Sequence, residues 1–204
     1  MADQAARRPA RMMHGPGRSA IKIFFADGIV VDPPLMVALF HEWIRNKIVE
    51  GMLIDVADYK HVHEGPAIVL VGHDVDYTID LSEARPGLMV TRKRPTPSDL
   101  ADDIQQGVRR VLAAARALQR KADPHPPVRF RTDELRVQVI DRLRFPQSAD
   151  AVEVVQGVIE PLFAKLFDPL GVTIENAATD ARVPVTLRVR AAGAPPLDTL
   201  IGRL

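Results

Sequence analysis

Residues 75–81, VDYTIDL, alternate between apolar and polar side chains along a short β-rich segment. The apolar positions are 75, 77, 79 and 81, and the residues between them are Asp76, Thr78 and Asp80. Successive side chains of a strand point to opposite faces of a sheet, so one face of this strand is predicted to be buried and the other polar. Such half-buried strands are typical of antiparallel sheets.

Two other β-rich segments contain turn signals that predict hairpins. Asp27-Gly28 separates the apolar runs 21–25 and 29–31, and a type I′ turn needs the positive φ that such residues tolerate. A second hairpin is predicted within 128–140, with its turn at Asp133-Glu134. Both predictions add antiparallel strand pairs to the sheet.

Three amphipathic helices separate the β-rich runs. The first follows Pro33-Pro34, the second is predicted over Pro97–Arg120, and the third begins after the capping residue Ser148. Each shows apolar residues at three- and four-residue spacing, which indicates one buried helix face. The predicted fold class is α+β, with antiparallel sheets and three main helices.

The order of elements suggests two similar halves, each strand-strand-helix-strand-strand, joined by the long helix. The alternative is that α+β chains of this length repeat such an order by chance. The predicted organisation is a flexible basic tail over 1–19, an α+β unit over 20–95, a connecting helix over 96–122 and a second α+β unit over 123–204. These units are expected to pack as one compact domain.

Composition excludes several classes of function. The chain lacks cysteine, which excludes disulfides and thiolate metal sites, and its formal net charge is +1, which argues against nucleic acid as a partner. Its apolar runs are shorter than the ~20 residues of a membrane-spanning helix. These features predict a cytoplasmic protein without a membrane partner.

The most suggestive chemistry lies in residues 58–77, DYKHVHEGPAIVLVGHDVDY. His61 and His63 are two residues apart, so on a strand both imidazoles would lie on one face. If the following strand folds back, His73 could join them together with Asp74 or Asp76, which would suit a divalent transition metal.

Two other interpretations of this segment stay open. Its histidines and acids could form the polar rim of a sheet, because Gly65-Pro66 and the residues around His73 are typical of turns. Alternatively, His61, His63, His73, Asp74 and Asp76 could contact a ligand or partner without metal. Arg85 and Arg92 would then belong to the same surface, or pair with its acids within the chain or across a homodimer.

No catalytic motif is complete in the sequence, so the function hypothesis is a non-enzymatic accessory or binding protein. It would engage a protein partner or a small molecule through residues 58–77. The alternative is a metal-dependent hydrolase in which His61, His63 and His73 hold the ion and Asp74 or Asp76 acts on bound water.

Overall fold

A single antiparallel sheet of eight strands forms the framework of the protein. The computed structural model describes residues 18–59, 61–62, 65–94, 99–121, 128–178 and 180–204. The strands are β1 (Ser19–Phe25), β2 (Leu53–Asp58), β3 (Pro66–Gly72), β4 (Val75–Asp80), β5 (Gly87–Arg92), β6 (Phe130–Val139), β7 (Val172–Asn176) and β8 (Val185–Ala191). They lie in the order β2-β3-β4-β5-β1-β6-β8-β7. The α+β class and the antiparallel pairing are confirmed.

Three long helices pack on one face of this sheet. They are α1 (Pro33–Asn46), α2 (Leu100–Gln119) and α3 (Ala149–Phe167), and a short helix α4 (Leu197–Gly202) follows β8. The indole ring of Trp43 in α1 meets the Tyr77 ring of β4 edge-on, with centroids 6.3 Å apart. Gly107 lets α2 approach β1 closely, because a Cβ at this position would lie 2.7 Å from the Cγ1 of Ile21.

The predicted cap of the third helix is confirmed. The hydroxyl of Ser148 accepts a hydrogen bond from the backbone N–H of Ala151 at the start of α3. For α2 the cap is the Asp99 carboxylate, which accepts from the N–H of Asp102. This helix begins at Leu100, three residues after the predicted start at Pro97, because Asp99 has an extended backbone. Residues 96–98 themselves lie outside the described residues.

Neither predicted hairpin forms. Asp27-Gly28 does make a turn, and Gly28 has the positive φ of 78° that the turn needs, but the chain after it runs into α1 instead of forming a strand. The second prediction is wrong because β6 continues through Asp133-Glu134 as one strand of 10 residues. The similarity of two halves is therefore not confirmed, since five strands precede α2 and three follow it in the described chain.

The face of the sheet opposite the helices is polar, and the described chain places no helix on it. The register brings Lys22 of β1 opposite Met89 of β5 and Arg136 of β6. On the same face, Arg136 lies opposite Arg188 of β8. We call this surface the open face.

The two edge strands differ. At the β2 edge, Met52 and Ile54 are largely exposed, and the carboxylate of Asp55 accepts a 2.8 Å hydrogen bond from the neighbouring N–H of Val56. At the β7 edge, the side-chain amide of Gln156 in α3 donates to the carbonyl of Ile174 at 3.5 Å. Backbone groups at both edges thus have side-chain partners.

Candidate functional site

The predicted histidine site does not assemble in the described part of the chain. His61 lies in the turn before β3 and His73 lies in the turn after it, so the strand separates them. At about 3.3 Å per residue, the seven residues of β3 span roughly 20 Å, which is too far for a shared metal ion. His63 lies outside the described residues. Among the residues that are described, no group of three or more His, Asp or Glu side chains could hold a metal ion.

The remaining predicted residues of this segment have local partners. The imidazole Nδ1 of His73 lies 3.0 Å from Oδ1 of Asp74, and both side chains are exposed. Asp76 accepts from the N–H of Gly72 at 2.9 Å and pairs with Nζ of Lys93 at 3.0 Å. These contacts stabilise the β3–β4 turn and its surroundings. A partner-binding role for residues 58–77 stays a prediction.

Arg85 and Arg92, predicted to share a surface, contact different groups on opposite faces of the sheet. Arg92 lies on the helix-covered face, where its guanidinium contacts the Asp103 carboxylate of α2 and donates to Oε1 of Gln106 at 2.8 Å. The hydroxyl of Ser19 donates to the same carboxylate at 2.6 Å. We call Ser19, Arg92, Asp103 and Gln106 the Asp103 cluster; it fastens α2 to the sheet.

Arg85 instead contacts Glu134 on the open face. Its two terminal nitrogens donate to the two carboxylate oxygens at 2.7 and 3.0 Å, which is the bidentate geometry of strong arginine–carboxylate pairs. The guanidinium carbon also lies 4.0 Å from the centre of the Phe24 ring, as in a cation–π contact. Arg85 is therefore held from two sides.

Three more arginines surround the same carboxylate. Nε of Arg188 is 3.2 Å from Oε1, while Nε of Arg190 and a terminal nitrogen of Arg131 are 3.5 and 3.7 Å from Oε2. We call Glu134 with Arg85, Arg131, Arg188 and Arg190 the Glu134 cluster. Burial opposes ionisation of Glu134, but Arg85, Arg190 and Arg188 hold the pKa of this carboxyl below its ordinary value.

Further acids lie beside the arginines of the Glu134 cluster, and one of them is Asp27, which is near Arg131. Asp133 neutralises Arg131 at 2.9 Å, and Glu175 lies 3.8 Å from Arg190. Arg85 and Arg188 have Glu134 as their acidic partner among the described residues. Two guanidinium groups thus share one carboxylate at a surface that solvent can reach.

A second polar cluster lies beside the first one on the open face. The ammonium of Lys22, fully buried, donates to Oδ2 of Asp80 at 2.7 Å, and Arg136 donates to the same oxygen at 3.2 Å. The hydroxyl of Ser82 adds a third donor at 2.8 Å. Burial lowers the pKa of Lys22 despite its ion pair, whereas Lys22, Ser82 and Arg136 hold the pKa of Asp80 below its ordinary value against burial.

The loop that joins these two clusters has an unusual backbone. Glu83 and Ala84 both have positive φ, 60° and 51°, a conformation that is rare for residues other than glycine. Glu83 pairs with Arg136 at 3.0 Å and Arg85 pairs with Glu134, so ion pairs on both sides hold the loop. Such outliers persist where the surroundings fix them, and they are common at binding sites.

A cleft opens beside this loop. It has a volume of about 220 Å³ and lies between the turn after β1 and the residues that precede β5. Its apolar lining includes Phe24, Phe25, Ile29 and Pro86, and Arg85 and Arg131 supply two guanidinium groups. The cleft and the Glu134 cluster therefore share two arginines.

The Glu134 cluster does not follow from the sequence pattern, because Asp133-Glu134 is predicted to form a hairpin turn. A signal was present: Glu134 and Arg136 alternate with Leu135 and Val137. Residues 186–190, TLRVR, show the same alternation with Arg188 and Arg190. Two strands with charged residues on one face predict a polar sheet face where they pair.

Two comparisons with known proteins were negative. No protein-family model matches it, and the search of curated proteins gives no match. The helices in the described ranges are also each too short or too polar to cross a bilayer.

Proposed function

We propose that this protein is a non-enzymatic binding protein that captures an oxyanion at the Glu134 cluster. The anion is the carboxylate or phosphate group of a small ligand or of a protein partner. The observation that carries the proposal is the buried Glu134 carboxylate with four guanidinium groups around it, two of which lack another acidic partner.

The geometry of the arginines supports capture of an anion. Nε of Arg188 lies 3.2 Å from Oε1 of Glu134, and about 29% of the Arg188 side chain is exposed, so an incoming oxyanion can reach this guanidinium. Guanidinium groups bind carboxylates and phosphates through paired, charge-assisted hydrogen bonds. Glu134 keeps the arginines oriented, so less side-chain entropy is lost when the anion binds.

A binding role fits this cluster better than hydrolysis. The described residues around Glu134 are arginines, acids and Phe24, and a nucleophile with an adjacent base is absent from this set. Ser82, a hydroxyl near the cluster, donates its proton to Asp80. The metal-dependent hydrolase has no support from the geometry of His61 and His73.

The test is titration with inorganic phosphate and with acetate, followed by calorimetry or by amide chemical shifts at low ionic strength. We expect saturable binding of at least one anion, and weaker binding as salt screens the charges. Arg188→Gln should weaken it about tenfold, which corresponds to the loss of one charge-assisted hydrogen bond.

Arg182→Gln is the matched control. Arg182 is a largely exposed arginine paired with Asp180 at 2.7 Å, away from the Glu134 cluster, and its replacement should leave the affinity unchanged. Absence of binding by either anion, or an equal loss in both variants, would contradict the proposal.

A further inference from the structure

The outer edge of β7 carries backbone groups that can pair with another strand. Within the described chain, β7 has a neighbouring strand on one side only, which is β8. The N–H of Ala192, just after β8, donates to the carbonyl of Gly171 at 2.9 Å, and in an antiparallel ladder only alternate residues from such a pair bond to the neighbouring strand. The residues of β7 whose backbone groups point outward are therefore Val172, Ile174 and Asn176.

The two edges of the sheet differ in how they resist such pairing. The β2 edge has a register shift between Leu53 and Asp55, and the Asp55 carboxylate occupies the N–H of Val56. The β7 edge has a regular register and contains neither proline nor lysine, which proteins use to protect edge strands. Its bond from the Gln156 amide to the Ile174 carbonyl is 3.5 Å long, at the outer limit of a hydrogen bond. The β7 edge is therefore less protected than the β2 edge.

A cleft of about 400 Å³ runs along this edge, between β7 and α3. Its apolar lining includes Ala164, which is exposed, and Leu170 and Val172, which are half-buried. Glu160 and Asp168 supply two exposed carboxylates, and neither has an ion-pair partner within the described ranges. The described lining includes no lysine or arginine. Such a cleft suits side chains that combine an aliphatic stem with a positive charge.

We infer that the β7 edge binds an extended, basic segment of a partner protein. The segment adds a strand to the sheet, and its main-chain groups pair with the outward groups of β7. Alternate lysine or arginine side chains of the segment lie in the cleft, where their charges reach Glu160 and Asp168. The inference goes beyond the proposed function and does not rest on it, because the cleft shares no residue with the Glu134 cluster.

A second copy of this chain fits the same edge less well. Antiparallel pairing of β7 with its own copy, about a two-fold axis at Ile174, would place α3 beside α3 of the copy. Glu153 and Glu160, both exposed and about two turns apart on α3, would then face their counterparts across the axis. Like charges oppose such an association. Charge complementarity therefore favours a basic partner.

Synthetic peptides test the inference by fluorescence anisotropy. The probe is a short peptide of alternating threonine and lysine with blocked termini. We expect saturable binding that weakens with added salt, and about tenfold weaker binding when glutamate replaces lysine. A peptide methylated on the backbone nitrogens of its lysines keeps the charge but cannot donate to β7. It should also bind about tenfold more weakly than the probe.

Variants of the protein locate the contact. Glu160→Gln combined with Asp168→Asn should weaken binding of the probe about fivefold, since two exposed ion pairs are lost. Asp32→Asn is the matched control, because Asp32 is an exposed carboxylate at the start of α1, which packs on β2 at the other edge. Val172→Pro removes an outward N–H at the first residue of β7, where an edge strand tolerates proline, and should weaken binding with little change in the melting midpoint.

Several outcomes would overturn the inference. One is absence of binding by the lysine peptide, and another is equal binding of its methylated form, because charge alone would then explain the affinity. An affinity that the double variant leaves unchanged would place the peptide elsewhere. Sedimentation of the protein alone covers the second copy: a dimer that Val172→Pro dissociates would show that this chain itself occupies the edge. Phosphate binding at the Glu134 cluster is measured separately, so the proposed function stands or fails independently.

Discussion

The Asp103 cluster and the Glu134 cluster are both built from arginines around a buried carboxylate, yet they serve different ends. Asp103 has one arginine, Arg92, and a hydroxyl partner beneath α2, where both charged side chains are almost completely buried. Glu134 has four arginines on the open face, and these remain between about 28% and 45% exposed. The Asp103 cluster is closed to solvent, whereas the Glu134 cluster gathers four arginines around one carboxylate and stays accessible.

The difference shows how surroundings determine the role of an ion pair. Burial dominates at Asp103 and raises the pKa of this carboxyl even though Ser19 and Arg92 favour its charged form. At Glu134 the arginines outweigh burial, and the pKa is lowered. The first carboxylate therefore stabilises the packing of α2, whereas the second organises a group of cations that an external anion can reach.

The largest expected effect on stability is at the Asp103 cluster. Asp103→Ala leaves the buried Arg92 guanidinium without its counterion, and we expect the free energy of unfolding to fall by about 3–5 kcal/mol. Chemical denaturation monitored by circular dichroism measures this loss. The neighbouring Asp102→Ala, at an exposed position in the first turn of α2, should cost at most about 1 kcal/mol. Similar losses in both variants would show that burial does not distinguish the two aspartates.

A smaller loss of stability is expected at the Glu134 cluster. Glu134→Ala removes the carboxylate from four arginines that water can reach, so we expect a loss of about 1–2 kcal/mol. Added phosphate should occupy the position of the missing carboxylate and restore part of the stability. At a phosphate concentration ten times the dissociation constant, the gain should be about 1.4 kcal/mol. Melting of this variant with and without phosphate measures the rescue. Phosphate should not rescue Asp103→Ala, and equal rescue of both variants would contradict the distinction between the clusters.

The smallest expected effects concern the change of stability with pH. This change should have opposite signs for Glu134 and Asp103. Because the pKa of Glu134 is lowered in the folded protein, ionised Glu134 stabilises the fold at pH values above its ordinary pKa of 4.5. This contribution is lost as the pH falls through the lower folded-state pKa. The raised pKa of Asp103 acts oppositely, because stability falls as the pH rises from 3.8 through its folded-state pKa.

Denaturation midpoints between about pH 3 and about pH 7 compare the two carboxylates. Glu134→Gln should make the acid-induced loss of stability shallower than in the unmodified protein. Asp103→Asn should remove a decline that occurs with rising pH. If both variants shift the profile in the same direction, the contrast between the two carboxyl groups is wrong.

The sequence predicted those parts of the fold that depend on local patterns. The alternation in VDYTIDL identified β4 and the polar character of the face that carries Asp76 and Asp80. Apolar spacing identified the three long helices, and the Ser148 cap placed the start of α3. These features follow from neighbours within a few residues.

Other features depended on contacts between distant residues. β6 continues through Asp133-Glu134 because β1 and β8 pair with the residues that follow, although its register with β1 shifts between Leu135 and Phe130. This tertiary pairing overrides the local turn preference. The Glu134 cluster joins residues from the loop before β5, from β6 and from β8, which only the order of strands brings together. Sequence spacing also suggested that His61 and His73 converge, whereas β3 holds them at opposite ends.

The hydrogen bond between Asp55 and Val56 has a consequence for how the protein behaves in a concentrated solution. Met52 and Ile54 make the β2 edge attractive to strands of other chains, since an unpaired apolar edge is a template for fibril growth. Because the carboxylate already occupies the Val56 N–H and carries a negative charge, an approaching strand meets a blocked donor and a repulsive group. We therefore expect Asp55 to disfavour the pairing of β2 with strands of other chains.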